Sequence, residues 1–418
     1  MHISSNDRDI LRRLAGELAE IAALPGHSEK AELWRRLNQL ESPVRPLVYI
    51  NEICWDEMNV DDELTCTCRD DWARAIESSM RMQLYQWRRL PGDMIVPNFI
   101  ASHKVYSSTS MGLEAQVDLA DSDSSVGVVS RHFRPQITKP QDIEKIKTPV
   151  VTADPDATER NYHAMCDLFG DIMPVRLQGR VQHWYAPWDY LITAWGVQEA
   201  LIDMVDRPDM VNAFIERVVD CNLAFMDQLD ELNLLALNNT CNRVGSGGYG
   251  YTDELPGEPY DPDHVHLHNQ WGCATAQIFS EISPEMHWEF ALRHEMRILQ
   301  RFGLTYYGCC EPLDIKMDIL RRIPNLRKIS MSPWVDPARG AERVGRDYVY
   351  SHKPNPAILA ENRWRPDQAR AELRDVLEKT RGCNVEIILK DISTVRRQPQ
   401  RLWQWAGIAM EETQRIGG

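Results

Sequence analysis

The chain has 418 residues, 43% of them hydrophobic and 26% charged, the balance of a globular protein with material for one large core. Its 47 Lys and Arg against 62 Asp and Glu leave a net charge of −15, which opposes nonspecific attraction to nucleic acid and to anionic membranes. No stretch approaches the roughly 18 uncharged apolar residues that a membrane span needs. The first residues have neither an export core nor transit-peptide composition, and the ten cysteines lack the spacing of a secreted disulfide framework. The expectation is a cytoplasmic protein with reduced thiols and neither a nucleic-acid nor a membrane partner.

Residues 1–44 read as an amphipathic helical cap and residues 45–418 as one domain. Within that domain, short runs rich in Val, Ile, Leu and Tyr alternate with segments of helical period, the pattern of βα units around a parallel sheet. The runs fall at 47–53, 94–100, 175–181, 234–240, 304–310, 326–332, 348–352 and 386–391. Eight such units predict an α/β fold, a (β/α)8 TIM barrel with an N-terminal helical extension. Between the strands, Phe214, Val218, Cys221, Phe225 and Leu229 recur on one face of a helix that Pro208 opens. Ser283 and Pro284 open another, and Gly303 closes it. Two connections, 101–174 and 241–277, are too long for simple loops and read as insertions after strands 2 and 4 that cover or line a site.

Barrel enzymes place their chemistry where strands run into βα loops. The polar residues expected there are Asn51 and Glu52, Asn98, Gln178 and His183, Asn238 and Asn239, Cys309 to Glu311, Ser332, His352 with Lys353, and Lys390 with Asp391. Burying so many polar groups at the ends of apolar runs is costly unless a ligand, a metal or a network satisfies them. Glu52, His183 and Asp391 are the candidate catalytic acids and bases. Asn98, Asn238, Asn239, His352 and Lys390 are candidate substrate contacts. Past the third strand, the segment HWYAPWDY adds Trp184, Tyr185 and Trp188 as an aromatic wall for a planar or apolar ligand.

In YYGCCEPL, a thiolate and a carboxylate at a strand end are a soft and a hard zinc ligand, Cys310 and Glu311, with His268 of HVHLH as a third. Cys309 and Cys310 point to opposite faces of an extended strand, so one of the two is expected to bind. GSGGYG follows no strand-to-helix turn and is a poor phosphate cradle.

The segment WGCATAQIFSEISPEMHWEFALRHEMRIL resembles the part of the uroporphyrinogen decarboxylase superfamily in which a polar strand end and Gly precede SPE and a helix. GVQEALIDMVDRPDMVNAFIERV resembles that superfamily's helix pair, and the likeness covers roughly residues 170 to 410. An arginine-rich segment for gripping porphyrin carboxylates is not recognisable around PVRPLVYINEICWDEM, which turns the resemblance toward the corrinoid-linked methyltransferase branch. That branch's strand-five His-x-Cys motif falls at Tyr307, Gly308 and Cys309; the histidine is missing, and Lys390 and Asp391 stand near the last strand in place of a second cysteine.

The resemblance implies a zinc-dependent methyltransferase, with homodimerisation. It would move a methyl group from a small methylated donor, of which an aromatic O-methyl compound is one kind, to cobalamin or a partner corrinoid protein. Two alternatives stay open: a metal-free decarboxylase or lyase in which Lys353, Lys390 and Arg180 hold a carboxylate while Asp391 handles the proton, and a noncatalytic binder of a planar ligand.

Overall fold

The computed structural model describes residues 3–41, 44–119 and 131–417. The Ser4 hydroxyl accepts from the Asp7 amide and starts α1 (Ser5–Ala22), whose Leu11, Leu14, Ala15 and Leu18 recur at the helical period and are buried. The expected helical pair at the amino terminus is completed by α2 (Gly26–Asn38). α1 packs on α3 (Asp71–Arg89) and α4 (Pro155–Phe169). Trp34 and Leu37 of α2 are fully buried against Leu47, Ile95 and Val349, and the Trp34 indole donates to the Asp93 carbonyl.

The first strand is β1 (Leu47–Ile50). The long connection near 101–174 is ordered into small pairings: β2 (Ile100–His103), β3 (Tyr106–Ser108), β4 (Val117–Leu119), β5 (Arg131–Phe133) and β6 (Val151–Ala153), before β7 (Val175–Gln178). β3 lies antiparallel to β6 and β4 to β5, while β2 and β7 pair in parallel. Three helices follow, α5 (Pro187–Trp195), α6 (Val197–Asp206) and α7 (Pro208–Glu231), the last with its proline in the first turn as expected. The chain then alternates: β8 (Trp271–Ala274), α8 (Pro284–His287), a π-helical turn at Trp288–Leu292, α9 (Arg293–Leu299), β9 (Leu304–Tyr307), α10 (Met317–Leu320), β10 (Leu326–Met331), α11 (Pro337–Val344), β11 (Val349–His352), α12 (Ala357–Ala360), α13 (Pro366–Lys379), β12 (Asn384–Leu389) and α14 (Gln400–Gly417).

Six of these strands form one parallel sheet in the order β1-β12-β11-β10-β9-β8. Each strand from β9 to β12 lies beside its predecessor, and the last lies beside the first, which is the winding of a barrel wall. The architecture is mixed α/β and barrel-like. From β8 back to β1 no continuous ladder runs among the described residues. That arc is carried by the parallel β2–β7 pair, the single parallel bridges Tyr185 to Ala274 and Arg180 to Leu235, and the Asp93 amide on the Val48 carbonyl. Among the described residues no helix is long and apolar enough to cross a membrane.

Three sequence expectations change here. The run 94–100 contributes only its last residue, Ile100, to β2, and Pro97 within it lacks the amide a ladder needs. The run 234–240 contributes one bridge rather than a strand, because Asn238 stands in for the ladder: its amide N–H2 donates to Val181 and Trp271 carbonyls while its oxygen accepts from the Trp271 amide. The connection 241–277, expected to lie outside the sheet, contains β8. Its four buried residues, Trp-Gly-Cys-Ala, form no recognisable apolar run, and Gly272 is needed because a Cβ there would lie 2.1 Å from the Phe302 ring.

The same connection also fills the barrel interior. Gly245, at φ 54°, brings the backbone so close that a Cβ would lie 2.7 Å from Tyr306 and 2.8 Å from the Cys273 sulfur. Ser246 donates to the Tyr306 hydroxyl at 3.0 Å, and the Gly248 amide donates to Glu386 at 3.3 Å. GSGGYG is thus a plug, and its glycines answer to space inside the wall.

Candidate active site

The strands aim their carboxyl ends at a cavity of about 340 Å³ bordered by Glu52, His183, Trp184, Arg243, Lys390 and Asp391, with Gln182, Gly245, Gln277 and Cys309 completing it. Glu52 follows β1 and Asp391 follows β12, and the pairing of those strands makes the two neighbours: Asn51 donates its amide to the Leu389 carbonyl and Ile392 donates to that of Glu52. Both carboxylates sit on left-handed backbone, at φ 50° and 56°. Such residues cost about 1–3 kcal/mol each and cluster at functional sites. Beside Glu52, both side-chain polar atoms of Asn51 are buried without a hydrogen-bond partner.

Two cations and two carboxylates interlock at this rim. Arg243 donates to Glu52 at 2.7 Å, while the Lys390 ammonium lies 2.6 Å from Asp391 and 3.2 Å from Glu52. Burial opposes ionisation of Glu52, but its hydrogen bond with Asp391 and the charges of Arg243 and Lys390 outweigh it and hold its pKa at about 2. Burial and the hydrogen bond with Glu52 push Asp391 the other way, above the usual aspartate range. The two carboxyls are pushed in opposite directions, Glu52 down and Asp391 up, the separation that acid–base chemistry needs. Burial disfavours the Lys390 charge, but Cys309, Asp391 and Glu52 more than offset it.

Gly308, at φ 96°, turns the chain after β9; a Cβ there would lie 2.4 Å from Leu313. Beyond it the Cys309 and Cys310 sulfurs lie 3.5 Å apart. The hydrogen bond between them raises Cys309 and lowers Cys310, whose thiolate Lys390 also favours. Glu311 is fully buried and occupied: one oxygen accepts from the Thr275 hydroxyl at 3.0 Å and the Ala276 amide at 3.3 Å, the other from the Cys309 amide at 2.8 Å.

The structure gathers Glu52, His183, Trp184, Cys309, Lys390 and Asp391 from the sequence expectations and disperses the others. His183 is buried with its Nε2 3.0 Å from Gln270 Oε1, and burial depresses its pKa to about 3, leaving the ring neutral. Trp184, 38% exposed, is the one member of the predicted aromatic wall that lines the cavity. Tyr185 and Trp188 are core residues: Tyr185 bridges Ala274 of β8 and packs in the main core, while Trp188 packs between α5 and α7 with its indole donating to the Phe290 carbonyl.

Asn98 borders a separate cavity beside Arg176 and Tyr251. Asn239, like Asn238, is a structural strap, donating to the Thr252 and Leu255 carbonyls. His352 is buried at the end of β11 beside another cavity, near Trp405, with burial pulling its pKa to about 3. Lys353 turns into the barrel interior, donating to the Tyr306 hydroxyl at 2.7 Å and to Ser351, and Arg180 donates to the Tyr106 hydroxyl and lies over the Phe225 ring.

The expected zinc ligands do not converge. His268 lies before β8 and bonds the Pro259 carbonyl, whereas Glu311 takes the amide of Ala276 beyond that strand. The four residues of β8, about 13 Å of extended chain, stand between them. Among the described residues, the groups of three side chains close enough to share an ion reduce to Asp230, His264 and His266, which lie elsewhere. Arg243 and Gln277, which sequence reasoning missed, come from the connection read as an insertion; the only available signal was a basic residue beside its glycine-rich run.

No protein-family model matches the chain, and no match to it is found among curated proteins. Among solved structures, a methyltransferase from Methanosarcina mazei is similar over 91% of this chain and 98% of its own, with a TM-score of 0.52 at 10% sequence identity. At that identity the likeness is one of fold, and it extends over nearly the whole of both chains.

Proposed function

We propose that the protein is a methyltransferase in which a (β/α)8 barrel moves a methyl group from a small methylated compound, with aromatic O-methyl compounds as the first class to test, to cobalamin or a partner corrinoid protein. The Glu52–Asp391 carboxyl pair beside Lys390 and Arg243 carries this reading, and the fold shared with a methyltransferase supports it. Breaking a methyl–heteroatom bond leaves an electron pair on the heteroatom, and protonation there turns it into a better leaving group. The corrinoid is the co-substrate and supplies the nucleophile for the methyl group.

Asp391, whose pKa burial and the hydrogen bond with Glu52 push upward, is the group that donates a proton to the departing heteroatom. Glu52, ionised and held by Arg243, fixes Asp391 and favours its protonated form. Trp184 offers an apolar face to the substrate, and the neutral His183 ring lines the wall beneath it. No step passes through zinc, because the thiolate, carboxylate and imidazole expected to bind it do not meet.

The test is methylcobalamin formation from reduced cobalamin and a panel of methylated phenols and amines, followed by absorbance. Asp391→Asn should lower the rate by about 10²–10⁴-fold with substrate binding retained. An unchanged rate in that variant, or no methylcobalamin from any donor, refutes the proposal. A second reading, a decarboxylase or lyase, is favoured by the two cations Arg243 and Lys390 at one rim, which suit a substrate carboxylate; carbon dioxide release without methyl transfer would select it.

A further inference from the structure

We propose that Asp230, His264 and His266 form a binding site for a divalent first-row transition ion, zinc first among them, that ties the 241–269 connection to the end of α7, away from the catalytic cavity. His264 and His266 are two residues apart on a nearly extended stretch, so their rings project to one side and stack at 4.5 Å between centroids. They face the carboxylate of Asp230 in the last turn of α7. Its Oδ1 lies 2.7 Å from His266 Nδ1 and 3.4 Å from His264 Nε2. Around a tetrahedral ion with ligands at about 2.0–2.2 Å, neighbouring donor atoms are about 3.4 Å apart. Of the two edges that meet at Asp230 Oδ1, one already has that length and the other has to open by about 0.7 Å.

The surroundings orient the ligands as a second layer of hydrogen bonds does in metal sites. The other Asp230 oxygen accepts from the Leu267 amide at 3.4 Å, and the His266 amide donates to Asn269 Oδ1 at 3.0 Å. Asn233, just past the helix, donates to the Asp263 carbonyl at 2.8 Å and pins the loop from the other side. The side chains of Asp230, His264 and His266 are 20%, 33% and 39% exposed, which leaves a fourth position open to water. Two imidazoles and a carboxylate suit zinc, nickel or copper and discriminate against calcium or magnesium, which prefer oxygen.

Binding requires each ring to present an unprotonated nitrogen. His264 Nε2 now bonds the Asp230 carbonyl at 2.7 Å and His266 Nδ1 the carboxylate, so each neutral ring shifts its proton to the opposite nitrogen. His268 stacks on His266 at 5.6 Å, but its Nε2 is engaged by the Pro259 carbonyl, and it serves as packing for the site. The same connection carries Arg243 of the cavity and the Gly245–Gly248 plug, so the ion acts as a structural staple for the segment that fills the barrel.

The experiment uses the full chain without a metal-binding tag, stripped with chelator, freed of it and titrated with zinc chloride and cobalt(II) chloride. One ion per chain is expected, with cobalt absorption that lacks a thiolate charge-transfer band. Zinc should raise Tm by several degrees at about 100-fold excess over Kd. The His264→Gln, His266→Gln double variant should bind about 100-fold more weakly or not at all and lose the Tm rise. A Cys309→Ser, Cys310→Ser variant should bind as the parent does. Asp230→Asn, nearly isosteric, serves if circular dichroism shows the double variant misfolded, and should weaken binding by about 10-fold or more. Absence of saturable one-to-one binding, binding unchanged in the histidine or aspartate variants, or a thiolate band that disappears with the cysteines overturns the proposal. The catalytic reading stands or falls separately, on methylcobalamin formation.

Discussion

Replacing Lys328 by methionine tests how the barrel interior is held together. Lys328 on β10 and Glu386 on β12 are both fully buried and 2.9 Å apart, spanning β11. The Lys328 ammonium also donates to the Tyr249 carbonyl at 3.2 Å, and Glu386 accepts from Ser351 at 2.6 Å and from the plug at Gly248. Methionine keeps the volume and removes the charge. A buried carboxylate that loses its cation costs about 3–5 kcal/mol, roughly 10²–10⁴ in the folding equilibrium. Lys353 also favours the Glu386 charge, which places the expectation at the lower end.

The sign with pH follows from the same pair. Burial opposes ionisation of Glu386, but Lys328 and Lys353 outweigh it and hold its pKa below the usual glutamate value. The pair therefore contributes stability above the unfolded-state pKa that is lost as pH falls through the folded one. In the Lys328→Met variant the Glu386 pKa rises, so the deficit should be largest at neutral pH and narrow in acid. Urea unfolding followed by tryptophan fluorescence at both ends of that range measures it. The Lys328→Met, Glu386→Gln double variant should cost about 1–3 kcal/mol less than the sum of the singles. A single-variant cost below about 1 kcal/mol at neutral pH, or strict additivity, refutes the reasoning.

Two further outcomes follow from burial alone. His183 and His352 are held neutral by burial, with folded pKa values of about 3 against 6.5 for the free side chain, so between those values the unfolded chain binds more protons and stability falls as pH drops. The upper bound is about 5 kcal/mol for each ring; His352→Leu should flatten the dependence of Tm on pH, and superimposable profiles would contradict the assignment. Gly272→Ala should lower the urea midpoint by the equivalent of about 1–3 kcal/mol or prevent folding, since Phe302 is wedged against His183 at 4.8 Å and cannot retreat. Phe302→Leu in the same chain should recover part of the loss.

The sequence was most legible where local rules act alone. The helices opened by Pro208 and Ser283, the runs containing Leu304–Tyr307, Leu326–Met331 and Val349–His352, and the run 386–391 overlapping Asn384–Leu389 followed from period and caps, because those signals lie within a few residues of one another. Trp271–Ala274 escaped because four residues, one of them glycine, carry too little periodicity. Tyr185 and Trp188 misled because an aromatic residue that packs a core and one that walls a pocket look the same in a chain.

Strand-end position was enough to mark Glu52, Lys390 and Asp391 as polar groups needing partners. That they partner one another depends on the first strand lying beside the last, a contact across more than three hundred residues of chain. Arg243 reaches them because its connection folds into the barrel, and Asp230 meets His264 and His266 because a helix end and a loop are held together by their own hydrogen bonds. Composition and periodicity determined the class of fold and which residues had chemistry to offer. Only tertiary packing decided which of them meet, since closing long loops is governed by the burial of the whole core and leaves no mark at the positions it joins.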